Sequence, residues 1–206
     1  MRISLIILAA GKSSRTGTLG RKTLLPWPVG PGSLLGTVLE NYKNAWDWHD
    51  AIVVHRDDTP ILKRIVQDAG TPYHSVINED ANAQMSESLR LALTALKPDT
   101  EGALIALGDM PFITQEIIQS ILQPSGSETI VQPKVENRPA NPVFFPAKFF
   151  KELQQARGDQ GGRKVIKENP KAIHPITFPN SSSFQDIDTP EDYSRAVQAL
   201  SRSCEY

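Results

Sequence analysis

Small residues and two cations follow the first apolar run of the chain, an arrangement that suits phosphate binding. Ala9, Ala10 and Gly11 carry little or no side chain, so a ligand can approach their backbone closely. Backbone N–H groups in such a loop, together with Arg15 and Lys22, can form a cradle for an anion. A solvated basic loop at a strand end has the same composition, so these residues alone leave both interpretations open.

Two common phosphate-binding loops do not fit this segment. A Walker A loop has a glycine five residues before the position of Gly11, and this chain has Ile6 there. The dinucleotide-binding fingerprint has a glycine where this chain has Ser13. The loop therefore belongs to neither class.

Two acidic positions are candidates for a metal site. Asp109 follows the apolar run 103–107 and a glycine, and Asp188 precedes a predicted helix start at Thr189. Both are expected at the carboxyl edge of a parallel sheet, where open α/β folds bind ligands. Mg²⁺ commonly binds through one or two carboxylates and substrate phosphate oxygens. A Gly-Asp turn and a helix-capping acid are the alternatives for the two positions, and Asp186 competes with Asp188 as a ligand.

Apolar runs alternate with segments of helical period along most of the chain. The predicted strands are 3–9, 51–54, 73–77, 103–107, 130–131, 143–145 and 173–178. Two of the predicted helices between these strands begin at Thr59-Pro60 and after Ser86, which is expected to cap its helix. A last helix, capped by Thr189, follows the final strand. This alternation predicts a three-layer α/β fold with a mainly parallel sheet and helices on both faces. We expect one domain over 1–206, with 136–169 as a lobe over the sheet edge.

The composition excludes several classes of protein. A net charge of −1 gives no overall field that favours nucleic acid or an anionic membrane, so phosphate binding must come from local geometry. Cys204 is the only cysteine, so neither an intrachain disulfide nor a cysteine-based zinc site is expected. No stretch reaches the roughly 18–20 apolar residues of a membrane span. The expected location is the cytoplasm.

Five segments in chain order together resemble the MobA-like NTP transferase family. The first is Leu8-Ala9-Ala10-Gly11-x-Ser13-x-Arg15-x-Gly17 with Lys22 and Leu24-Leu25-Pro26-Trp27. The others are Met85-Ser86-x-Ser88-Leu89-Arg90, Gly108-Asp109-Met110-Pro111, Pro142-Val143 with Phe145-Pro146 and Gly158-Asp159-x-Gly161-Gly162-Arg163, and Asp186-Ile187-Asp188-Thr189-Pro190-Glu191-Asp192. The Ala-Ala-Gly opening is more similar to the molybdenum cofactor cytidylyltransferases than to the guanylyltransferases of this family, whose loop usually has Ala-Gly-Gly.

The resemblance implies a Rossmann-like sheet of the GT-A type and a Mg²⁺-dependent nucleotidyltransferase, with Mn²⁺ as an alternative ion. The implied reaction transfers CMP from CTP to the terminal phosphate of a molybdopterin-type acceptor and releases pyrophosphate. A molybdenum hydroxylase is a candidate partner enzyme for such a product. Neither nucleic acid nor a membrane is an expected partner.

The resemblance also assigns roles to individual residues. The nucleotide-binding set is Leu8, Ala9, Ala10, Gly11, Arg15, Lys22, Asn78 and Ser86. Lys22, Arg15 and Asp109 form the catalytic set, and Asp109 with Asp188 would bind the metal. The acceptor-binding set is Asn141, Arg138 and Arg163. For Asn78 and Ser86, a turn asparagine and an N-cap serine are equally good interpretations.

Four features depart from the family pattern. Thr16 replaces a methionine, the loop at 18–21 is longer than usual, Gln84 replaces a glycine, and Asn141 replaces a frequent histidine. The last two are expected near the bound substrates, so they bear on the identity of the acceptor.

Two other functions use the same features. Sugar- and alditol-phosphate nucleotidyltransferases need the same loop and metal with a different acceptor pocket. A non-catalytic chaperone that carries molybdopterin to a molybdenum hydroxylase is the second alternative. Intact Lys22, Asp109 and Asp188 favour catalysis, because a carrier has no need of them.

Overall fold

The computed structural model describes residues 1–11, 13, 15, 19–56, 60–80, 84–158 and 162–203. Several residues used in the sequence analysis lie outside these ranges: Thr16, Gly17, Thr18, Thr59, Asp159, Gly161 and Cys204.

Within these ranges, eight strands form a single sheet. They are β1 (Ile3–Leu8), β2 (Ala51–Arg56), β3 (Tyr73–Asn78), β4 (Gly102–Leu107), β5 (Ile130–Val135), β6 (Arg138–Pro139), β7 (Val143–Pro146) and β8 (Ile173–Phe178). The order is β3-β2-β1-β4-β7-β5-β6, and β8 pairs with β5. Strands β1 to β4 are parallel, whereas β7 runs antiparallel between β4 and β5. Val131 pairs with both Phe144 of β7 and His174 of β8, so these two strands lie on opposite edges of β5.

Seven α-helices cover the sheet in the described part of the chain. They are α1 (Leu34–Lys43), α2 (Pro60–Ala69), α3 (Met85–Ala95), α4 (Gln115–Leu122), α5 (Phe150–Gln155), α6 (Arg163–Glu168) and α7 (Pro190–Ser203). None of the described helices is long and apolar enough to cross a membrane.

The side chains of β1 show why the sheet needs a helical layer on each face. Ile3, Leu5 and Ile7 belong to one buried cluster, and Ile6 and Leu8 belong to another. Since successive side chains of a strand point to opposite faces, the two clusters lie on opposite sides of the sheet. Helices α1, α2, α4 and α7 contribute to the first cluster, and α3, α5 and α6 contribute to the second. The predicted three-layer α/β fold with a mainly parallel sheet is confirmed.

The last helix begins as the sequence predicts. The backbone N–H of Asp192 donates to Thr189 Oγ1 at 3.1 Å, and the backbone N–H of Thr189 donates to Asp192 Oδ2 at 2.9 Å. This reciprocal pair satisfies two backbone groups that the helix itself leaves unpaired.

The prediction that Ser86 caps α3 is wrong. The N-cap position lies two residues earlier, at Gln84, which has an extended conformation, and Ser86 is buried within the first turn of the helix. The backbone N–H of Ser86 donates to the carbonyl oxygen of Gly158 at 3.2 Å. A carbonyl from a distant loop therefore satisfies this N–H group, and no serine cap is needed.

Gly108 is required where the ends of β1 and β4 meet. A Cβ atom on Gly108 would lie 2.9 Å from the Cβ and 3.2 Å from the Cα of Ala9. We expect Gly108→Ala to lower the free energy of unfolding by about 1–3 kcal/mol, because the Ala9 backbone cannot move away easily. Gly126→Ala is the control, since no described residue other than its chain neighbours lies within 4 Å of its Cβ position. Urea denaturation gives the free energy of unfolding of both variants. Equal stability of the two variants would contradict the prediction.

Candidate active site

A cavity of about 690 Å³ opens at the carboxyl ends of β1 and β4. Its lining consists of Leu8, Ala9, Ala10, Gly11, Ser13, Arg15, Lys22, Thr23, Gln84, Met85, Ser88, Leu107, Gly108, Asp109, Arg163, Asp186 and Asp188. Most of the residues expected to bind nucleotide or metal are therefore in one cavity, at the sheet edge that the parallel arrangement predicts.

The loop after β1 turns sharply at Ser13. This residue has a φ of 54°, in the left-handed region that non-glycine residues seldom adopt. Its hydroxyl oxygen accepts a hydrogen bond from the backbone N–H of Lys22 at 3.1 Å, which joins the two ends of the loop. Apart from its neighbours in the chain, no described residue lies within 4 Å of the Cβ position of Gly11, so the cavity reaches the backbone there.

Lys22 lies between two carboxylates. Its Nζ contacts Asp109 Oδ2 and donates to Asp188 Oδ1 at 2.7 Å, and the three side chains are only 13%, 13% and 17% exposed. Arg15, on the solvent side, pairs through Nη2 with Asp188 Oδ2 at 2.8 Å. The cluster thus combines cations from the loop with acids from two distant segments.

The charge state of Lys22 follows from these neighbours. Burial alone would lower the pKa of its ammonium group, but the charges and hydrogen bonds of Asp109 and then Asp188 outweigh burial and raise that pKa. Lys22 is consequently protonated at neutral pH and can act on phosphate oxygens as a cation.

A single buried residue brings the two acidic segments together. The backbone N–H of Ile187 donates to the carbonyl oxygen of Asp109 at 3.0 Å, and the Ile187 side chain is buried in the core. Asp186 and Asp188, its neighbours, both line the cavity. Partial desolvation, followed by the charges of Asp188 and Asp109, raises the pKa of the Asp186 carboxyl.

Aromatic packing behind the cavity holds the same three segments. The buried Trp27 ring lies 5.7 Å from the Phe112 ring in an edge-to-face arrangement and 6.2 Å from the Tyr193 ring. The Tyr193 hydroxyl also donates to the carbonyl oxygen of Pro26 at 2.7 Å. The segments that carry Lys22, Asp109 and Asp188 therefore share one apolar support.

The acidic residues fit a hard divalent cation that is also held by substrate. Among the described residues, no group of three or more His, Cys, Asp or Glu side chains is arranged to hold a metal ion. Asp109 Oδ1 is buried, however, and no described residue donates a hydrogen bond to it. Mg²⁺ and Mn²⁺ prefer oxygen ligands, and Mg²⁺ often binds through one or two carboxylates plus substrate phosphates. Asp109 and Asp188 would hold such an ion.

A second cavity, of about 560 Å³, adjoins the first. Its lining consists of Leu8, Met85, Leu89, Ile105, Leu107, Gln132, Arg138, Pro139, Ala140, Asn141, Val143, Phe145, Gly162, Arg163, Ile166 and Lys167. Leu8, Met85, Leu107 and Arg163 line both cavities. The second cavity brings together all three residues expected to bind the acceptor, and no acidic residue is among its described lining.

Asn78 and Ser86 line neither cavity in the described part of the chain. The Asn78 amide donates to Ser88 Oγ at 2.9 Å, and its oxygen accepts from the backbone N–H of Asp80 at 3.2 Å. Asn78 thus connects β3 to α3 through its side chain. Its role in nucleotide binding stays a prediction, as does that of Ser86.

The structure adds cavity residues that the sequence analysis did not select: Thr23, Ser88, Gln132 and Lys167. For two of them, Ser88 and Lys167, helical spacing from a residue in the resembling segments could have indicated a position in the cavity. Ser88 is three residues from Met85 and Lys167 is four residues from Arg163, the spacings that share one face of a helix. Thr23 follows Lys22 within a short 3-10 helix, and its burial depends on contacts that sequence does not reveal.

We expect Asp109 and Asp188 to be the metal ligands. Asp109→Ala and Asp188→Ala should each weaken Mn²⁺ binding and lower kcat by far more than tenfold. Loss of the ion removes several kcal/mol of transition-state stabilisation, which corresponds to a rate lower by roughly 100-fold or more. Asp186→Ala should have a mild effect. Calorimetric Mn²⁺ titration and turnover are the measurements, with the exposed Asp68→Ala as the control. An Asp109→Ala variant that keeps more than about a tenth of kcat at saturating Mg²⁺ would exclude Asp109 as the principal ligand.

Thr23 offers a second test of the first cavity. The residue is 3% exposed, it lines the cavity, and its hydroxyl has no hydrogen-bond partner among the described residues. If the hydroxyl binds nucleotide, Thr23→Val should weaken nucleotide binding by about threefold to tenfold and leave stability unchanged or slightly higher.

Thr37→Val is the matched control for this substitution. The Thr37 hydroxyl donates to the carbonyl oxygen of Val29 at 2.8 Å, so its loss should lower stability by about 1 kcal/mol without affecting nucleotide binding. A Thr23→Val variant that is destabilised like the control, with unchanged nucleotide affinity, would show that Thr23 serves only the fold.

Comparisons with known proteins agree with this geometry. The sequence pattern that defines the MobA-like NTP transferase domain matches residues 5–173. The purine catabolism protein PucB of Bacillus subtilis (strain 168) is 24% identical over 207 residues, which cover 95% of this chain and 96% of PucB.

Two solved structures have the same fold. Rv0371c of Mycobacterium tuberculosis H37Rv, crystallised with manganese, has a TM-score of 0.80 and 24% identity over 97% of this chain and 100% of its own. A nucleotidyl transferase of Methanothermobacter thermautotroptrophicus, Mth528, has a TM-score of 0.83 and 17% identity over 98% of this chain and 99% of its own. The sequence pattern spans the loop, the acidic turn and the acceptor-side strands described above, and the chain belongs to the MobA-like NTP transferase family.

Proposed function

We propose that this nucleotidyltransferase-family protein transfers CMP from CTP to the terminal phosphate of a molybdopterin-type acceptor. An oxygen of the acceptor phosphate attacks the α-phosphorus of the nucleotide. A new P–O–P bond forms, the bond from the α-phosphorus to the bridging oxygen of the β-phosphate breaks, and pyrophosphate leaves with the bonding electrons. The acceptor phosphate is already an anion at neutral pH, so no protein base is required.

The junction of the two cavities supports this reaction most directly. One cavity combines a backbone cradle, cations and carboxylates, as a nucleotide triphosphate with its metal requires. The other combines an apolar wall with Arg138, Arg163 and Lys167, which suits an anionic acceptor with an apolar body. Arg163 lines both cavities, so it can contact the acceptor phosphate where that phosphate meets the nucleotide. Alignment of the two reactants is the main requirement for phosphoryl transfer.

The first cavity contains the groups that oppose charge in this reaction. Lys22, held as a cation by its acidic neighbours, can bind oxygens of the α-phosphate as pyrophosphate departs. The Arg15 side chain is 71% exposed at the mouth of the cavity, where its guanidinium can bind the β- and γ-phosphates. A divalent ion on Asp109 and Asp188 would neutralise phosphate charge and polarise the leaving group. Mg²⁺ is the proposed ion, and Mn²⁺ is the alternative.

The acceptor assignment depends on the second cavity and on residues 136–169, which contribute all three cations of its described lining. We include this segment in the proposal as an acceptor-side lobe of a single domain. A product that carries a molybdenum cofactor would go to a molybdenum hydroxylase, the proposed partner. A cytoplasmic location is part of the same proposal.

A pyrophosphate-release assay with each NTP and Mg²⁺, with and without a molybdopterin acceptor, tests the reaction. The Ala9-Ala10-Gly11 opening leads us to expect release with CTP that depends on the acceptor. Binding titrations of the four NTPs complete the test. Tenfold tighter binding of GTP than of CTP, a difference of about 1.4 kcal/mol, would overturn the proposal that CTP is the substrate. It would leave the proposal of nucleotidyl transfer intact. Release with ribitol 5-phosphate alone would instead favour an alditol-phosphate acceptor, and acceptor binding without any release would favour a carrier.

Asn141 tests the position of the acceptor. This half-buried residue lines the second cavity only. We expect Asn141→Ala to raise the KM for the acceptor, with little change in the KM for the nucleotide. The reason is that Asn141 lines the proposed acceptor cavity and not the proposed nucleotide cavity. Steady-state kinetics with each substrate varied in turn provide the measurement. An unchanged acceptor KM, together with lower stability, would mean that Asn141 only supports the turn before Pro142.

A further inference from the structure

The Asn78 carboxamide joins the end of β3 to helix α3 through two hydrogen bonds of fixed direction. Its oxygen accepts from the backbone N–H of Asp80 at 3.2 Å, and its nitrogen donates to Ser88 Oγ at 2.9 Å. A backbone N–H can only donate, so the amide oxygen must face Asp80 and the amide nitrogen must face Ser88. Asn78 itself is 3% exposed and is not part of the described lining of either cavity.

The contact with Asn78 limits the Ser88 hydroxyl to one role. Ser88 is 5% exposed and lines the first cavity. A hydroxyl group has one hydrogen to donate, and the amide nitrogen of Asn78 cannot accept it because that nitrogen is itself a donor. No other described residue shares a side-chain hydrogen bond with Ser88. The hydroxyl hydrogen is therefore available to an acceptor atom on a ligand in the first cavity.

The place of Ser88 in the fold indicates which part of a nucleotide it meets. Asn78 ends β3, whereas Asp109 follows β4, and strands β2 and β1 lie between them. At about 4.8 Å per strand, the ends of β3 and β4 are roughly 14 Å apart. The residues that α3 and its N-cap contribute to the described lining are uncharged: Gln84, Met85 and Ser88. The lysine and carboxylates that suit a triphosphate and its ion are grouped around Asp109, so the nucleoside is the part that extends toward Ser88.

We propose that Asn78 is a positioning residue that makes the Ser88 hydroxyl donate a hydrogen bond to the base of the bound nucleotide. The base is the end of a nucleotide furthest from the triphosphate, and nucleobases carry carbonyl oxygens and ring nitrogens that accept hydrogen bonds. Asn78 thereby affects nucleotide affinity without contacting the nucleotide. The assignment rests on the proposed function, since it treats the first cavity as the nucleotide site.

Calorimetric binding to the full chain tests the Ser88 hydroxyl without any turnover. The ligand is the NTP that binds the unaltered chain most tightly with Mn²⁺, and inorganic tripolyphosphate with Mn²⁺ is the probe that lacks a nucleoside. We expect Ser88→Ala to weaken nucleotide binding by about threefold to tenfold, because one hydrogen bond is lost, and to leave tripolyphosphate binding unchanged. Ser120→Ala is the control and should change neither, since this exposed hydroxyl on α4 donates to the carbonyl oxygen of Glu116.

Asn78→Asp reverses the direction of the contact with Ser88. One carboxylate oxygen can still accept from the backbone N–H of Asp80, and the other would accept the Ser88 hydroxyl hydrogen, which is then withdrawn from the nucleotide. We expect nucleotide binding to weaken about as much as in Ser88→Ala. The same substitution in chains that already carry Ser88→Ala should add little, because the hydroxyl is already absent. A weakening caused by the new negative charge alone would persist in those chains and would extend to tripolyphosphate.

The coupling between the two residues separates positioning from folding. Each substitution breaks the contact between β3 and α3, so urea denaturation should give a lower free energy of unfolding for all of them. Asn78→Ala repeats the comparison without an added charge. Equal effects of the Asn78 substitutions on nucleotide affinity with and without Ser88→Ala would overturn the proposal, as would unchanged nucleotide affinity in Ser88→Ala. Loss of the Ser88→Ala effect with the 2′-deoxy nucleotide would assign the hydroxyl to the ribose and overturn its assignment to the base.

These outcomes are distinct from failure of the proposed function. The binding measurements need neither an acceptor nor pyrophosphate release, so a chain that shows the coupling and releases no pyrophosphate would keep this assignment and lose the enzymatic one. Acceptor-dependent release by Ser88→Ala, with nucleotide affinity equal to that of the unaltered chain, would have the opposite meaning.

Discussion

The contact of one lysine with two carboxylates is the interaction on which the candidate active site depends. Lys22, Asp109 and Asp188 come from three distant parts of the chain and are largely shielded from water. Without the ammonium group, two acids would face each other in a medium that screens charge poorly. Removing one partner of a buried ion pair is much more costly than replacing the whole pair, so the three residues constrain one another.

The rest of the fold fixes the backbone positions that this contact requires. Ile187 is buried in the core while its N–H group binds the Asp109 carbonyl, which leaves Asp186 and Asp188 on the cavity side. Trp27 packs between Phe112 and Tyr193 and so joins the same three segments from behind. Strong backbone and apolar contacts therefore support a polar cluster whose own net contribution to stability is small.

The two cavities differ in charge, and this difference supports the proposal that they bind two different substrates. The first contains both cations and carboxylates, as a nucleotide with a divalent ion requires, whereas the described lining of the second contains three cations and no acid. Arg163, at the start of α6, belongs to both. Strand β7, antiparallel to its neighbours, carries Val143 and Phe145 into the second cavity and so builds an apolar wall beside the parallel part of the sheet.

The sequence by itself determined the α/β fold and much of the first cavity. Apolar runs such as Ile3–Leu8 specify buried parallel strands, and candidate site residues that follow such strands closely, including Gly11 and Asp109, must lie at one sheet edge. Tertiary structure alone decided the environment of the other residues. A distant carbonyl replaced the expected cap at Ser86, and Gln132 became a cavity residue because β7, α3 and α6 converge on β5. Local periodicity reports which face of an element is apolar, but burial and partners depend on contacts between segments far apart in the chain.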